Sequence, residues 1–428
     1  MNVEIAYGRG TLSVRLPERA EVTIIRKHPL AKLPDPKAAV RHALDNPVGG
    51  APFEELAEGR RSACILICDI TRPAPNHLFL RPMIEGLVRH GMPANKITVL
   101  VATGLHRPNL GAELEELVGD PWVLSTVEVA NHIARREEDH VDLGRTQARG
   151  TPVKIDRRFI EADLRIATGL VEPHFMAGYS GGPKVVAPGV AHAGTIRTFH
   201  SARFMEDPGA VQCNLARNPL RDEQLEIVRM IGEVYAFNVV LDESRDLWEA
   251  TFGEVVQSHL AAVNVMRESA EVAVPRRFKT VVTSAAGYPL DKTYYQTVKA
   301  MVTPMDILEP GADLIVASEC SEGLGSAEFR AAQRRLVELG PEAFLASLKQ
   351  KTFADVDEWQ TEMQLKPMRR ARVALFTRGL NDEDRRLTGV DQIASIEDAV
   401  RQSFERTGER AVAVIPEGPY VVPFHVAG

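Results

Sequence analysis

At 428 residues with a formal net charge of −7, the chain is too long for one ordinary core, and two domains are expected. Acids and bases are interspersed, with Arg135–Arg136 and Arg157–Arg158 set among carboxylates as solvated faces, so nucleic acid is not expected as a partner. No apolar run approaches the ~18 residues of a membrane span, the first residues lack a charged-then-apolar leader pattern, and four cysteines are too few for a disulfide framework, which together point to a cytoplasmic protein with no membrane partner.

Residues 1–27 predict a small strand region, with Gly8-Arg9-Gly10 as the turn between two short strands, and a helix follows at 36–44. Three apolar runs then repeat one arrangement: CILICDITRP at 64–73, ITVLVATGLHRP at 97–108 and LRIATGLVEPH at 164–174. Each stops at a polar or glycine motif, and the first precedes a helical stretch at 76–90. Runs apolar on both faces predict strands of a parallel sheet covered by helices. Cys64 and Cys68 fall inside the first run among apolar neighbours, where they act as small hydrophobes. A helical stretch at 253–271 leads to a connector at 275–277. A second α/β unit begins near 278, with further strands at 312–323 and 371–379. The expected fold is α/β, in two α/β domains of mainly parallel sheets with the active-site cleft between them. The domains are residues 1–272, for cofactor binding and catalysis, and residues 273–428, closing the cleft.

Ligands of open α/β sheets bind beyond the carboxyl ends of the strands. That rule gathers Asp69, Thr71, Arg72, His106 and His174 around one crevice although they span 105 positions. Tyr295, Gln296 and Lys299 share one face of a helix, because positions three and four apart lie together. Each also has a plainer reading. Arg72 could simply pair with Asp69, either histidine could be a turn residue, His200 could pack beside Phe199, and Trp359 could be core. What favours function is the recurrence of such residues at strand ends, where packing does not require them.

Between Gly178 and Lys184 the chain reads GYSGGPK, directly after Glu172-Pro173-His174. Lysine is scarce, 12 against 39 arginines, so one in a glycine loop is notable. The string is not a P-loop, because the glycines are misplaced and no hydroxyl residue follows the lysine. Nor is it read as the serine elbow of acyl-transfer enzymes. HExxH and CxxC are absent, so a metal held by protein alone would need scattered ligands.

The strings Asp69-Ile-Thr-Arg72-Pro, Thr103-Gly-Leu-His106-Arg-Pro, Glu172-Pro-His174-Phe-Met-Ala-Gly-Tyr-Ser-Gly-Gly-Pro-Lys184, His200 closing GTIRTFH, and Tyr295-Gln-Thr-Val-Lys299 closely resemble those of the nickel-dependent lactate racemases and their 2-hydroxyacid racemase and epimerase relatives. The resemblance covers almost the whole chain, and its long central string is specific. It implies a nickel pincer nucleotide, a pyridinium mononucleotide with two sulfur arms, made by cofactor-biosynthesis proteins that become expected partners. By the same carry-over Lys184 joins the cofactor as a thioamide and His200 is the protein ligand to nickel, completing a square-planar site. Asp69, Ile70, Thr71 and Arg72 border cofactor and substrate. Tyr295, Gln296 and Lys299 act from the second domain, with Trp359 a further substrate-lining candidate. His106 and His174 serve as paired general acids and bases, each the base for one stereoisomer of a small-molecule 2-hydroxy acid, lactate-like or larger, while hydride transfer avoids a carbanion. Two other classes stand beside this one. An NAD-type dehydrogenase should show GxGxxG after an early strand, and none stands there. A noncatalytic nickel-cofactor carrier or sensor has no need of histidines on two strand ends.

Overall fold

The computed structural model describes residues 1–72, 74–242 and 244–426, and the chain divides into two compact units. One, here the Lys184 unit, comprises residues 29–199 and 208–268. The other, the His200 unit, comprises 1–28, 200–207 and 269–428.

The Lys184 unit is built on a six-stranded sheet in the order Leu247–Glu254, Tyr235–Leu241, Leu164–Leu170, Ala63–Cys68, Ile97–Ala102, Glu128–Asn131. All neighbours run parallel except the first pair, a hairpin. The strand Ala63–Cys68 is central because ACILIC is apolar on both faces, with Ile65, Leu66 and Ile67 fully buried. Phe79, Leu80, Met83, Ile84 and Leu87 recur at helical spacing along Asn76–Arg89 and join the same core. From strand 63–68 the chain first adds a neighbour on one side, 97–102, and later one on the other, 164–170. The strand order therefore reverses there, and the carboxyl ends of these three strands carry Asp69, His106 and the segment leading to His174. This switch point is where such sheets take ligands.

The His200 unit holds a second six-stranded sheet, parallel throughout, in the order Asp391–Ile393, Ala371–Phe376, Leu308–Ala317, Phe278–Ser284, Ala411–Ile415, Glu21–Ile24. The N-terminal hairpin Asn2–Tyr7 and Gly10–Arg15 packs Val3, Ile5, Tyr7 and Val14 into one core with Val282, Ile315, Val412 and Val414. The expected boundary at 272/273 lies near the last crossing, at Ser269, but residues 1–28 and 200–207 belong with the C-terminal part. The reasons are specific. Strand Glu21–Ile24 pairs along Ala411–Ile415, and Ala202 packs with Leu336, Phe344, Leu348 and Leu365. Arg158, expected on a solvated face, instead clamps Asp156 at 2.6 Å and is half-buried.

Candidate active site

Strand 63–68 ends at Asp69, which is buried. Its Oδ1 accepts from the Thr71 backbone N–H at 3.1 Å and hydroxyl at 2.6 Å, and its Oδ2 accepts from His106 Nδ1 at 2.6 Å. Burial opposes ionisation, but the His106 and Thr71 hydrogen bonds and the Arg72 charge outweigh it and hold the carboxyl below its ordinary range. A carboxylate accepting from Nδ1 fixes the imidazole tautomer, so the exposed ring of His106 turns a lone pair on Nε2 outward as a base. Arg72 Nε lies 3.2 Å from Glu172 Oε1, while the close partners of the Asp69 carboxylate are His106 and Thr71 and the Arg72 charge acts on it as well. Ile70 is half-buried against the core of this unit. Arg107, next to His106, is matched by a bidentate contact to Glu113 at 2.6 and 3.0 Å.

The glycine loop folds back on the end of strand 164–170, with Pro173–His174 pairing antiparallel to Gly178–Tyr179. Gly178 has φ +79°, and a Cβ there would lie 2.4 Å from the Asn214 carbonyl, so only glycine fits. Gly178–Gly182 does satisfy G-x-S-x-G letter for letter. Ser180 is nonetheless structural: its Oγ donates to the Leu170 carbonyl at 2.8 Å and accepts from the Glu172 N–H at 3.0 Å. Lys184 follows in the one-turn helix Pro183–Val186. Burial first, and the Arg72 charge second, push its amine down to about 8 against the opposing pull of Cys68, Asp69 and Glu172. These neighbours gather Lys184, Arg72, Asp69 and Glu172 into one electrostatic cluster, with His106 attached through Asp69.

His174 is buried and stacks on Phe175, ring centroids 5.1 Å apart. Its Nδ1 accepts from the Ala177 backbone N–H at 3.2 Å, which leaves the ring proton on Nε2. The two histidines thus stand in opposite tautomers: His106 offers a lone pair at Nε2, His174 a proton.

In the His200 unit, the His200 ring lies 4.9 Å from that of Trp359, and both residues are buried. Arg369 anchors the same segment through bidentate contacts to Glu206 at 2.7 and 3.0 Å. Tyr295, Gln296 and Lys299 line the half-buried side of the helix Tyr294–Val302, whose opposite side buries Tyr294, Thr297, Val298 and Met301. Gln360, next to Trp359, donates to the Tyr295 carbonyl at 2.6 Å, tying the two helices together. Among the described residues Gln296 Oε1 is sealed from solvent with no hydrogen-bond partner. Glu172 stood in the long string without a role of its own, and Asn238 and His259 escaped the sequence reading. The last two carried a signal, Asn238 as a polar break in the run YAFNVVL and His259, beside Ser258, at the head of the run LAAV.

Among the described residues, no group of three or more His, Cys, Asp or Glu side chains could hold a metal ion, and no helix is long and apolar enough to cross a membrane. Two family models match: the lactate racemase N-terminal domain over residues 7–212 and the lactate racemase C-terminal domain over 275–422. The lactate racemase of Thermoanaerobacterium thermosaccharolyticum is 32% identical over 330 residues, 77% of this chain and 76% of that protein. That of Lactiplantibacillus plantarum is 30% identical over 390 residues, 90% of each. The solved structure of the T. thermosaccharolyticum lactate racemase apoprotein superposes with a TM-score of 0.91 at 28% identity, covering 99% of this chain and 100% of that one. A Thermotoga maritima protein, with a TM-score of 0.63 and 16% identity over 88% of this chain and 98% of its own, shares the fold.

Proposed function

We propose, from the premise that this chain belongs to the lactate racemase family and is an isomerase of the racemase kind, that it inverts C2 of a 2-hydroxy acid and carries a nickel pincer nucleotide. The observation that carries this reading is the cluster at the switch point: an oriented base, His106 on Asp69, beside a half-buried lysine whose amine is pushed down to about 8.

The residues fit such a cofactor in two respects. An amine with so low a pKa is partly neutral near pH 8 and could be the nucleophile that joins a thiocarboxylic acid as a thioamide, the new C–N bond replacing the C–O bond with loss of water. A buried imidazole, His200, with no metal-holding group of three or more His, Cys, Asp or Glu among the described residues, suits a metal whose remaining donors come from an organic ligand. Lys184 and His200 would hold the group, with Asp69, Ile70, Thr71, Arg72, Gln296 and Lys299 beside it. When bound, it supplies a reversible hydride acceptor, which removes the need to ionise a very weakly acidic C–H bond.

The chain's own residues then manage protons and orientation. His106 Nε2 takes the hydroxyl proton of one isomer, and the imidazolium formed is stabilised by Asp69. Arg72, steered by Glu172, presents guanidinium donors to the substrate carboxylate. In the tautomer described His174 offers the C2 oxygen a hydrogen bond from Nε2; to deliver that proton it first gives up the Ala177 N–H and is protonated at Nδ1, and the imidazolium that passes its Nε2 proton on is left neutral, with a lone pair at Nε2 that is the base for the other isomer. Tyr295 and Trp359 are the aromatic candidates for contact with the substrate body.

The test is protein made together with the cofactor-building proteins, analysed for nickel and offered D- and L-2-hydroxy acids, sugar acids included, with products read by chiral chromatography. Expected are bound nickel and interconversion of at least one pair. His106→Asn and His174→Asn should each slow interconversion by ~10²–10⁴-fold with nickel retained. Full activity in either variant sinks the two-histidine scheme, and a loaded protein inert across the panel is a carrier.

A further inference from the structure

His259 lies in the helix Val255–Ala270, 1% exposed, and takes no part in the chemistry above. Its Nε2 is 2.8 Å from the Ser180 carbonyl, and its Nδ1 is 3.3 Å from Arg221 Nη1. A guanidinium has donors and no acceptor, so Arg221 must donate and Nδ1 must accept. The ring proton therefore sits on Nε2 and is given to Ser180. Burial and the Arg221 charge push the imidazole down to about 3, so the ring stays neutral throughout any working pH.

The loop leaving Ser180 lies directly against this ring. Gly182 has φ +49°, and a Cβ on it would stand 2.6 Å from His259 Cβ and Cγ. Its N–H donates to Asn238 Oδ1 at 2.9 Å, and Asn238 Nδ2 in turn reaches the hydroxyl of Ser258, the residue before His259, at 3.3 Å. The next turn starts from these fixed points, with Lys184 N–H on the Gly181 carbonyl at 3.1 Å and Val185 N–H on that of Gly182 at 3.0 Å. We propose that His259 is a positioning residue: locked in one tautomer by Arg221, it fastens the Ser180 carbonyl and sets the course of Gly181–Gly182 that delivers the Lys184 amine among Cys68, Asp69, Arg72 and Glu172. The inference rests on Lys184 being the attachment point for the cofactor, and it identifies what sets that lysine in its half-buried place.

The test uses the cofactor-free full-length chain, so it does not depend on loading. Brief acylation of amines at a series of pH values, with Lys184 modification read by mass spectrometry, gives the midpoint of that one lysine. In the unsubstituted chain the midpoint should fall near 8. In His259→Leu it should move toward the ordinary lysine value of about 10.4, cutting the neutral fraction at pH 8 roughly a hundredfold. His259→Gln, which can donate to Ser180 and accept from Arg221, should keep the midpoint of the unsubstituted chain. If the leucine variant does not fold, His259→Asn, too short for the Ser180 carbonyl, is read in its place. A folded leucine or asparagine variant with the midpoint still near 8 overturns the role of His259 and leaves Lys184 as the attachment point. An ordinary midpoint in the unsubstituted chain overturns both.

Discussion

Asp69 is the residue on which the site turns, because one buried carboxylate does two jobs. With Oδ1 it closes the turn at Thr71, and with Oδ2 it orients His106. Asp69→Asn keeps the volume and can keep the turn, but it removes the charge that favours Nδ1–H and stabilises an imidazolium. The expected result is a fall in kcat of ~10²-fold or more with thermal stability little changed, measured by steady-state racemisation beside a melting curve. The Asp69–His106 contact was hidden in the sequence by competition. Arg72 at three positions' distance was an adequate partner for Asp69, and nothing local reveals that a histidine 37 residues away takes that carboxylate first, leaving Arg72 to Glu172.

Among the elements, the helix Glu358–Met368 gathers Trp359, which meets His200, and Glu362 one turn later. Glu362 is buried with Oε1 unpartnered among the described residues, and burial, with the Glu206 and Glu358 charges adding, pushes its carboxyl up to about 8. Near pH 4 the folded and unfolded chains both carry this proton. Between about 4.5 and 8 the unfolded chain releases it while the folded chain keeps it, so stability falls as pH rises across that window. Glu362→Gln should flatten this fall and gain on the order of a few kcal/mol at pH 8 while changing little at pH 4.5, as read from denaturation curves at the two pH values. Elements like these were unevenly legible. The shared face of Tyr295, Gln296 and Lys299 followed from helical spacing alone. Membership of 200–207 in the His200 unit did not, because HSARFMED has no period of its own and takes its place from Phe344, Leu348 and Leu365, more than a hundred residues on.

At the scale of the whole molecule, the chain passes between its two units at residues 28/29, 199/200, 207/208 and 268/269. The C-terminal stretch that reads as a domain is therefore incomplete without the first residues. Residues 273–428 made alone would leave strand Ala411–Ile415 as an open edge and uncover the face of Val282, Val412 and Val414 that Val3, Ile5 and Val14 otherwise pack. Exposed edges and apolar faces associate. That fragment should fall mostly in the insoluble fraction, and supplying residues 1–28 in trans should raise its soluble yield and sharpen its melting. A fragment that is soluble and melts cooperatively by itself would refute this view of the unit. The strands and helices were readable from apolar periodicity, whereas a pairing between positions near 21 and 411 has no local signature.

The opposite tautomers of His106 and His174 have a thermodynamic corollary. Two enantiomers have equal free energies, so an enzyme that interconverts them works against an equilibrium fixed at equal amounts, whatever the asymmetry of its site. Equality of forward and reverse specificity then requires the same kcat/KM for both hands. If the histidine already carrying its proton and the one offering a lone pair make one hand turn over faster, that hand must also bind more weakly, by the same factor. The inequality between the two side chains is confined to how each hand divides its transition-state stabilisation between binding and turnover.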